Sequence, residues 1–169
     1  MQNAALQMTD EIPQTNAGGA RVRPASLADV KAMAALIDGY ARQGVMLPRT
    51  PGEISETVRE YLVAEREGRI IGAGAIHFFT EDLAEVRALA VAPELRGNGI
   101  GSALLGALTS KARREGASRL FTLTYEPAFF ESADFERVPH EALPEKVWGD
   151  CTACPRYNQC GEIALVARI

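Results

Sequence analysis

The feature that most constrains this chain is a glycine-rich connection, Arg-Gly-Asn-Gly-Ile-Gly, at residues 96–101. Residues 85–91 before it alternate in the way typical of a strand, and residues 100–115 after it have the apolar spacing of a helix. Such a connection brings free backbone N–H groups and the positive end of a helix dipole to one point. It therefore favours a bound phosphate or pyrophosphate.

Two common phosphate sites fit this segment poorly. A P-loop needs a lysine directly before the Ser or Thr that follows the last glycine, and Ser102 has none. A dinucleotide site needs Gly-x-Gly-x-x-Gly after the first strand of a βαβ unit, whereas here three predicted strands come first and the spacing is Gly-x-Gly-x-Gly. The segment could also be a glycine-rich turn that binds no ligand.

The Arg-x-x-Gly-x-Gly pattern, and the strand Arg-Ala-Leu-Ala-Val-Ala-Pro at residues 87–93, resemble the acetyl-CoA-binding motif of the GNAT superfamily of N-acetyltransferases. The resemblance implies acetyl-CoA as co-substrate. It also implies a strand that splays from its neighbour and pairs with pantetheine through its backbone. The cofactor-binding residues that it implies are Leu89, Ala90, Val91, Arg96, Gly97, Asn98, Gly99, Ile100 and Gly101.

The order of elements predicts an α/β fold with helices on both faces of a mixed sheet. A helix is expected from Ser26 to about Ala41, a second over residues 53–60, and a hairpin over 61–78. The GNAT resemblance implies a mostly antiparallel central sheet of about six or seven strands. Residues 1–19 are expected to form a flexible tail before a single domain at 20–169, and residues 139–161 a long irregular segment.

Composition and charge exclude several classes of function. The 169 residues carry a net charge of −4 and no basic block, which argues against a nucleic-acid partner. No apolar run has the length of a membrane span, and the N-terminus lacks the features of a signal peptide. The three cysteines fall within residues 151–160 and do not form a secreted disulfide framework. A cytoplasmic protein is expected.

Further segments resemble the short stand-alone amino-acid N-acetyltransferases and the acetyltransferase domain of N-acetylglutamate synthase. They are Leu-Pro-Arg at 47–49, residues 83–91, 120–124 and 143–146, and the Cys-x-x-Cys-Pro-x-x-x-x-Cys-Gly-Glu ending at 151–162. This resemblance implies transfer of acetyl to the α-amino group of L-glutamate, as in arginine biosynthesis. By analogy with the family, a homodimer is possible.

Acetyl transfer needs a neutral amine and a protonated leaving thiol. Glu85, eleven residues before Arg96, matches the general-base position of some superfamily members. The alternatives are a solvated acid paired with Arg87 and a proton route through water. Many members use a tyrosine as the acid where this chain has Phe130, so Tyr125 is the substitute candidate. A packed aromatic at a strand end is the alternative for Tyr125.

Glutamate brings two carboxylates, and arginine pairs carboxylates through its planar fork. Arg49 lies in the predicted loop between the first two helices, and Arg87 shares a strand face with Glu85, so both are predicted to bind substrate. Lys146 and Arg156 are interpreted as surface charges.

The remaining motifs leave open alternatives. Cys151, Cys154 and Cys160 have a spacing that a metal can use, with His140 as a possible fourth ligand, but the set is incomplete and no metal is predicted. A disulfide or half-buried thiols are the other interpretations. His77 is either a packed histidine or an auxiliary base. The alternative functions are acetylation of another small amine or a protein amine, and a non-catalytic acyl-CoA sensor.

Overall fold

Eight strands form one sheet in the computed structural model, which describes residues 16–169. The strands are β1 (Asn16–Ala17), β2 (Ala20–Pro24), β3 (Tyr61–Arg66), β4 (Arg69–Phe78), β5 (Leu83–Val91), β6 (Arg119–Thr124), β7 (Glu136–Val138) and β8 (Ile163–Arg168). They lie in the order β1-β2-β3-β4-β5-β6-β8-β7, and β5 with β6 is the one parallel pair among the described residues. The mixed, mostly antiparallel sheet is confirmed, with β1 as an additional short strand.

Five α-helices flank the sheet in the described part of the chain. They are α1 (Val30–Ala41), α2 (Pro51–Glu56), α3 (Ile100–Arg114), α4 (Pro127–Glu131) and α5 (Pro144–Gly149). Leu104 and Leu108 of α3 are fully buried on one face, while Met33 and Ile37 of α1 are fully buried on the other. The predicted helices on both faces are therefore confirmed. Within residues 16–169, every helix is too short or too polar to cross a membrane.

Several boundaries differ from the sequence prediction. The helix predicted from Ser26 begins with the 3-10 turn Leu27–Asp29, and α1 starts at Val30. Of the tail predicted at residues 1–19, residues 1–15 lie outside the described part, but 16–19 form β1 and the turn into β2. The second helix ends at Glu56 and continues as the 3-10 turn Val58–Glu60. The irregular segment at 139–161 contains α5 and three 3-10 turns, at His140–Ala142, Cys151–Ala153 and Tyr157–Gln159.

A buried carboxylate fixes the predicted start of the first helical segment. Asp29 accepts hydrogen bonds from the backbone N–H and hydroxyl of Ser26 at 2.8 and 2.9 Å. It also accepts from both terminal nitrogens of Arg23 at 2.8 and 2.9 Å. The Arg23 hydrogen bonds, opposed by burial and supported by Ser26, hold the pKa of Asp29 at about 2, below its ordinary 3.8.

Asp29→Asn is expected to destabilise the fold by about 2 kcal/mol at pH 6. Because the pKa of Asp29 is lowered by folding, its contribution is present above the ordinary value and is lost as the pH falls towards about 2. Urea unfolding at several pH values should show the difference from wild type shrinking below pH 4. Asp38→Asn, which removes an exposed pair with Arg42, should change stability little; an equal effect would refute a special role for Asp29.

The parallel pair opens at its carboxyl end. Pairing between β5 and β6 runs from Leu83 and Arg119 to Glu85 and Phe121, after which both strands continue unpaired with each other. The hydroxyl of Thr122 donates to the Val86 carbonyl at 3.0 Å, at the point of divergence. The two strands therefore form the walls of a wedge.

β5 is also irregular close to the point where it diverges from β6. The β4–β5 register shifts between Ala73 and Ala75, and Ala88 on β5 has a φ of +53°. Such a backbone costs a non-glycine residue about 1–3 kcal/mol. Ala88 packs with the core under α1, whereas Leu89 and Val91 pack with the core under α3. This irregularity is a β-bulge, and it changes the direction of β5 along the wall of the wedge.

Candidate active site

Three adjoining cavities form one cleft through the wedge. The loop groove lies beside residues 96–102 and has a volume of about 470 Å³. The junction cavity, about 130 Å³, shares Leu89, Thr124 and Phe130 with the loop groove. The C-terminal cavity, about 590 Å³, lies under the segment 140–162 and shares Arg49 and Lys146 with the junction cavity. A long ligand in the loop groove can therefore present one end to the C-terminal cavity.

The loop groove is lined by all the predicted cofactor-binding residues except Asn98. Gly97 and Gly99 have φ values of +81° and +77°, and Gly99 is the N-cap of α3. Within the described residues, the N–H groups of Gly97, Gly99 and Gly101 donate to no backbone acceptor. Free donors at the start of a 15-residue helix fit the pyrophosphate of acetyl-CoA.

Asn98 points away from the groove. Its side-chain amide donates to the Leu95 carbonyl at 3.1 Å. On its other side lies the N-terminal hairpin, where a Cβ added to Gly18 would be 3.3 Å from the Asn98 carbonyl oxygen. The side chain of Asn98 therefore shapes the loop instead of lining the groove, and β1 with its turn packs against the loop from behind.

The groove also contains residues that the sequence analysis did not single out. Tyr40 reaches from α1 and donates its hydroxyl to the Val91 carbonyl at 2.5 Å. Burial raises the pKa of Tyr40, which keeps the hydroxyl protonated as a donor. Ser102 and Phe129 also line the groove, and a Cβ on Gly101 would already be 3.4 Å from the Phe129 ring. The groove is narrow at this point.

A network of four charged side chains joins the junction cavity to the C-terminal cavity. Glu85 is 4% exposed, and its carboxylate accepts from Arg87 Nε at 2.8 Å and from Lys146 Nζ at 3.0 Å. Asp150 accepts from Lys146 at 2.9 Å and from Arg87 Nη2 at 3.1 Å. Both cations also lie 5.7 Å from the ring centroid of Phe79. Two acids and two bases thus neutralise one another beside the cleft.

This network bears on the candidate base. Glu85 lies at the cleft, as the sequence predicted, but it is buried, so the alternative of a solvated acid is wrong although the pairing with Arg87 is present. Burial opposes ionisation of Asp150, but Lys146 and Arg87 outweigh it and hold the pKa of Asp150 below its ordinary value. The role of Glu85 as proton acceptor stays a prediction.

The two predicted substrate-binding arginines differ in availability. Arg49 and Arg87 both line the junction and C-terminal cavities. Within the described residues Arg49 makes no ion pair, so its guanidinium group is available to a ligand in these cavities. Arg87 gives Nε and Nη2 to Glu85 and Asp150 and retains Nη1. Arg49 is thus the better placed of the two to bind a carboxylate through both of its nitrogens.

Two residues interpreted as surface charges have other roles. The side chain of Lys146 is 14% exposed and lies inside the network, so that interpretation is wrong. Arg156 donates from Nη1 to the Gly44 carbonyl at 2.7 Å, which ties the C-terminal segment to the loop after α1. For Lys146, the sequence did contain a signal of this role: Lys146 and Asp150 have the i, i+4 spacing of an ion pair on a helix.

Phe130, which stands where many family members have an acidic tyrosine, is a packed core residue in this structure. Phe130 is 5% exposed and packs against Phe129 and Phe135 at ring-centroid distances of 5.0 and 5.4 Å. Tyr125 lines the loop groove. Tyr125 is therefore positioned near the ligand path, and its role as proton donor stays a prediction.

The three cysteines all line the C-terminal cavity as free thiols. Burial raises the pKa of Cys151 and of Cys160. In the described part of the chain, no group of three His, Cys, Asp or Glu side chains is arranged to hold a metal ion. His77 lies outside the three cavities, with Nδ1 2.9 Å from a Glu60 carboxylate oxygen.

Glu162 is a further acid in the cleft that the sequence analysis did not assign. It lies directly before β8 and lines both the junction and the C-terminal cavity. Burial raises the pKa of Glu162, and the thiol of Cys160 is 3.7 Å from its Oε2. The only sequence feature that pointed to Glu162 was its place in the Cys-Gly-Glu ending of the segment at 151–162.

Comparisons with known proteins agree with this geometry. The model of the acetyltransferase (GNAT) family matches residues 33–135. An uncharacterized N-acetyltransferase of Chlorobaculum tepidum is 41% identical over 86% of this chain and 94% of its own length. The amino-acid acetyltransferase of Mycobacterium tuberculosis is 35% identical over 81% of this chain and 79% of its own length.

A solved structure is similar over most of the fold. It is the N-acetylglutamate synthase of Neisseria gonorrhoeae complexed with coenzyme A and N-acetyl-glutamate, with a TM-score of 0.81 and 30% identity. The match covers 88% of this chain and 35% of that longer chain. By family model, sequence and fold, this chain belongs to the acetyltransferase (GNAT) family.

Proposed function

We propose that this chain transfers the acetyl group of acetyl-CoA to the α-amino group of L-glutamate. The observation that carries the proposal is the continuous cleft, which joins the glycine loop to a cavity with an unpaired Arg49. The relatives named as amino-acid acetyltransferases and the synthase structure with N-acetyl-glutamate support the choice of acceptor. The expected homodimer and cytoplasmic location stay predictions.

Residues at different positions along the cleft have different roles in the proposed reaction. Acetyl-CoA supplies the thioester that the amine attacks. Main-chain N–H groups of the glycine loop hold the pyrophosphate, and β5 from Leu89 to Val91 directs the thioester end towards the junction cavity. Arg49 binds a substrate carboxylate, and Nη1 of Arg87 adds a second donor. Tyr125 is the candidate donor of a proton to the leaving thiolate.

A thiol-release assay with acetyl-CoA and a panel of amino acids tests this function. Turnover with glutamate well above that with glutamine, aspartate and lysine is expected. Turnover confined to another amine would replace the acceptor. Tight acetyl-CoA binding without turnover on any amine would favour a non-catalytic sensor, for which the observation is the buried Phe130 at the usual tyrosine position.

Arg49→Ala is expected to raise KM for glutamate by roughly 10- to 100-fold, because a hydrogen bond to a charged group contributes about 1.5–3 kcal/mol. KM for acetyl-CoA should stay unchanged, since Arg49 lines only the junction and C-terminal cavities. Steady-state kinetics with each substrate varied in turn measures both constants. The matched control is Arg42→Ala, an exposed arginine after α1. An equal rise in both KM values would refute an acceptor-specific role.

A further inference from the structure

The cleft contains two acids with different surroundings at its narrowest part. Glu85 lines the junction cavity alone, and both Arg87 and Lys146 hold its carboxylate. Within residues 16–169, Glu162 is the one acidic residue that lines both the junction cavity and the C-terminal cavity. An acceptor amine that reaches the thioester must cross that boundary.

Strand pairing fixes the position of Glu162. Thr124 at the end of β6 pairs with Ile163 at the start of β8, so Glu162 stands beside Tyr125 at the open end of this pair. The next residue back, Gly161, is close enough that an added Cβ would be 3.2 Å from the Tyr125 ring. Glu162 therefore lies on the β6 wall of the wedge, and Leu89 lies on the β5 wall of the same cavity.

The carboxylate of Glu162 is free to accept a proton. Its hydrogen-bond partner within the described residues is the Cys160 thiol, 3.7 Å from Oε2, which leaves Oε1 available. Burial raises the pKa of Glu162 and Glu85 raises it further, against the lowering effects of the Cys160 hydrogen bond, Lys146 and Arg156. The other ionisable groups that line its two cavities are Arg49, Glu53, Arg87, His140, Glu141, Asp150, Cys151, Cys154 and Tyr157. A base with a raised pKa is better matched to proton transfer near neutral pH.

We propose that Glu162, in place of the predicted Glu85, is the proton acceptor for the substrate ammonium group, and that Glu85 is a positioning residue for Arg87 and Lys146. One N–H bond of the ammonium breaks and its proton moves to the Glu162 carboxylate. The freed electron pair forms the C–N bond to the thioester carbon, and the C–S bond breaks with its pair on sulfur. A second nitrogen proton reaches the thiolate through Tyr125 or water, and Glu162 returns its proton to solvent.

This inference rests on the proposed acetyl transfer and is tested by pH profiles of kcat/KM for the acceptor at saturating acetyl-CoA. Glu162→Gln should lower kcat by about 10²-fold or more and abolish the acidic limb. Glu162→Asp should keep the limb at a reduced rate, which separates the role of the carboxylate from a folding defect. Glu85→Gln should lower kcat/KM but keep the limb. Glu145→Gln on α5, outside the three cavities, should resemble wild type.

The outcomes separate the two proposals. An acidic limb retained in Glu162→Gln, or lost in Glu85→Gln alone, overturns the role of Glu162. Wild-type turnover with a different amine overturns glutamate as acceptor, and the profiles are then measured with that amine. Absence of turnover with every amine overturns both. Equal coenzyme A binding by the variants shows that the loop groove is intact.

Discussion

Glu85→Gln is expected to lower the free energy of unfolding by about 3 kcal/mol, because it leaves two largely buried cations without one of their two acids. The side chains of Arg87 and Lys146 are 15% and 14% exposed, so water screens their mutual repulsion weakly. Asp150, at 43%, is too exposed to compensate. Urea unfolding measures the change, and a loss within about 0.5 kcal/mol would contradict the network as a source of stability.

A double variant tests the cause of that loss. Lys146→Met in the Glu85→Gln background removes one cation and leaves the pair of Arg87 with Asp150, so much of the lost stability should return. A non-additive recovery indicates charge imbalance, whereas an additive loss indicates packing damage. Glu145→Gln, one residue before Lys146, is the matched control for removal of an acid and should have little effect.

The single substitution Glu85→Gln should also loosen the segment 140–162, which lies over the C-terminal cavity. Lys146 and Asp150 hold α5 to β5 through Glu85 and Arg87. With this attachment weakened, trypsin should cleave faster after Lys146 or Arg156, and KM for the acceptor should rise. Coenzyme A binding should change little because the loop groove lies at the other end of the cleft.

The parts of the site that the sequence predicted correctly are local in the chain. The strand, the glycine loop and the following helix occupy one continuous stretch, and each is set by periodicity and by glycine at positive φ. The same holds for the 3-10 turn Leu27–Asp29 that leads into α1, where Ser26 and Asp29 are three residues apart. Local chemistry was sufficient to predict these elements.

The parts that the sequence did not predict depend on distant residues. The hydrogen bond between Lys146 and Glu85 joins positions 61 apart, and no periodicity relates them. The positive φ of Ala88 has no sequence signal, because alanine does not favour that conformation and the β4–β5 register imposes it. The position of Glu162 in the cleft likewise depends on the pairing of β6 with β8.

Gly99→Val is expected to raise the Kd for coenzyme A by roughly 10²-fold. Gly99 has a φ of +77° at the N-cap of α3, a conformation that a β-branched residue adopts only with strain. Relief of that strain rotates the neighbouring peptide units, so the N–H groups of Gly97 and Gly101 no longer converge on one anion. Charge-assisted hydrogen bonds contribute about 1.5–3 kcal/mol each, and the loss of one or two accounts for the expected change.

Two other substitutions separate backbone strain from the addition of a side chain. Gly99→Asn adds a side chain that tolerates the left-handed region, and a Cβ there would be 3.7 Å from Ala17, so coenzyme A binding should stay within a few-fold of wild type. Gly106→Ala, in open space within α3, should leave binding unchanged and raise stability by about 0.5–1 kcal/mol. Calorimetric titration with coenzyme A measures all three Kd values. Wild-type affinity in Gly99→Val would mean that the loop amides do not hold the pyrophosphate, and equal losses in the Asn and Val variants would assign the effect to steric blockage.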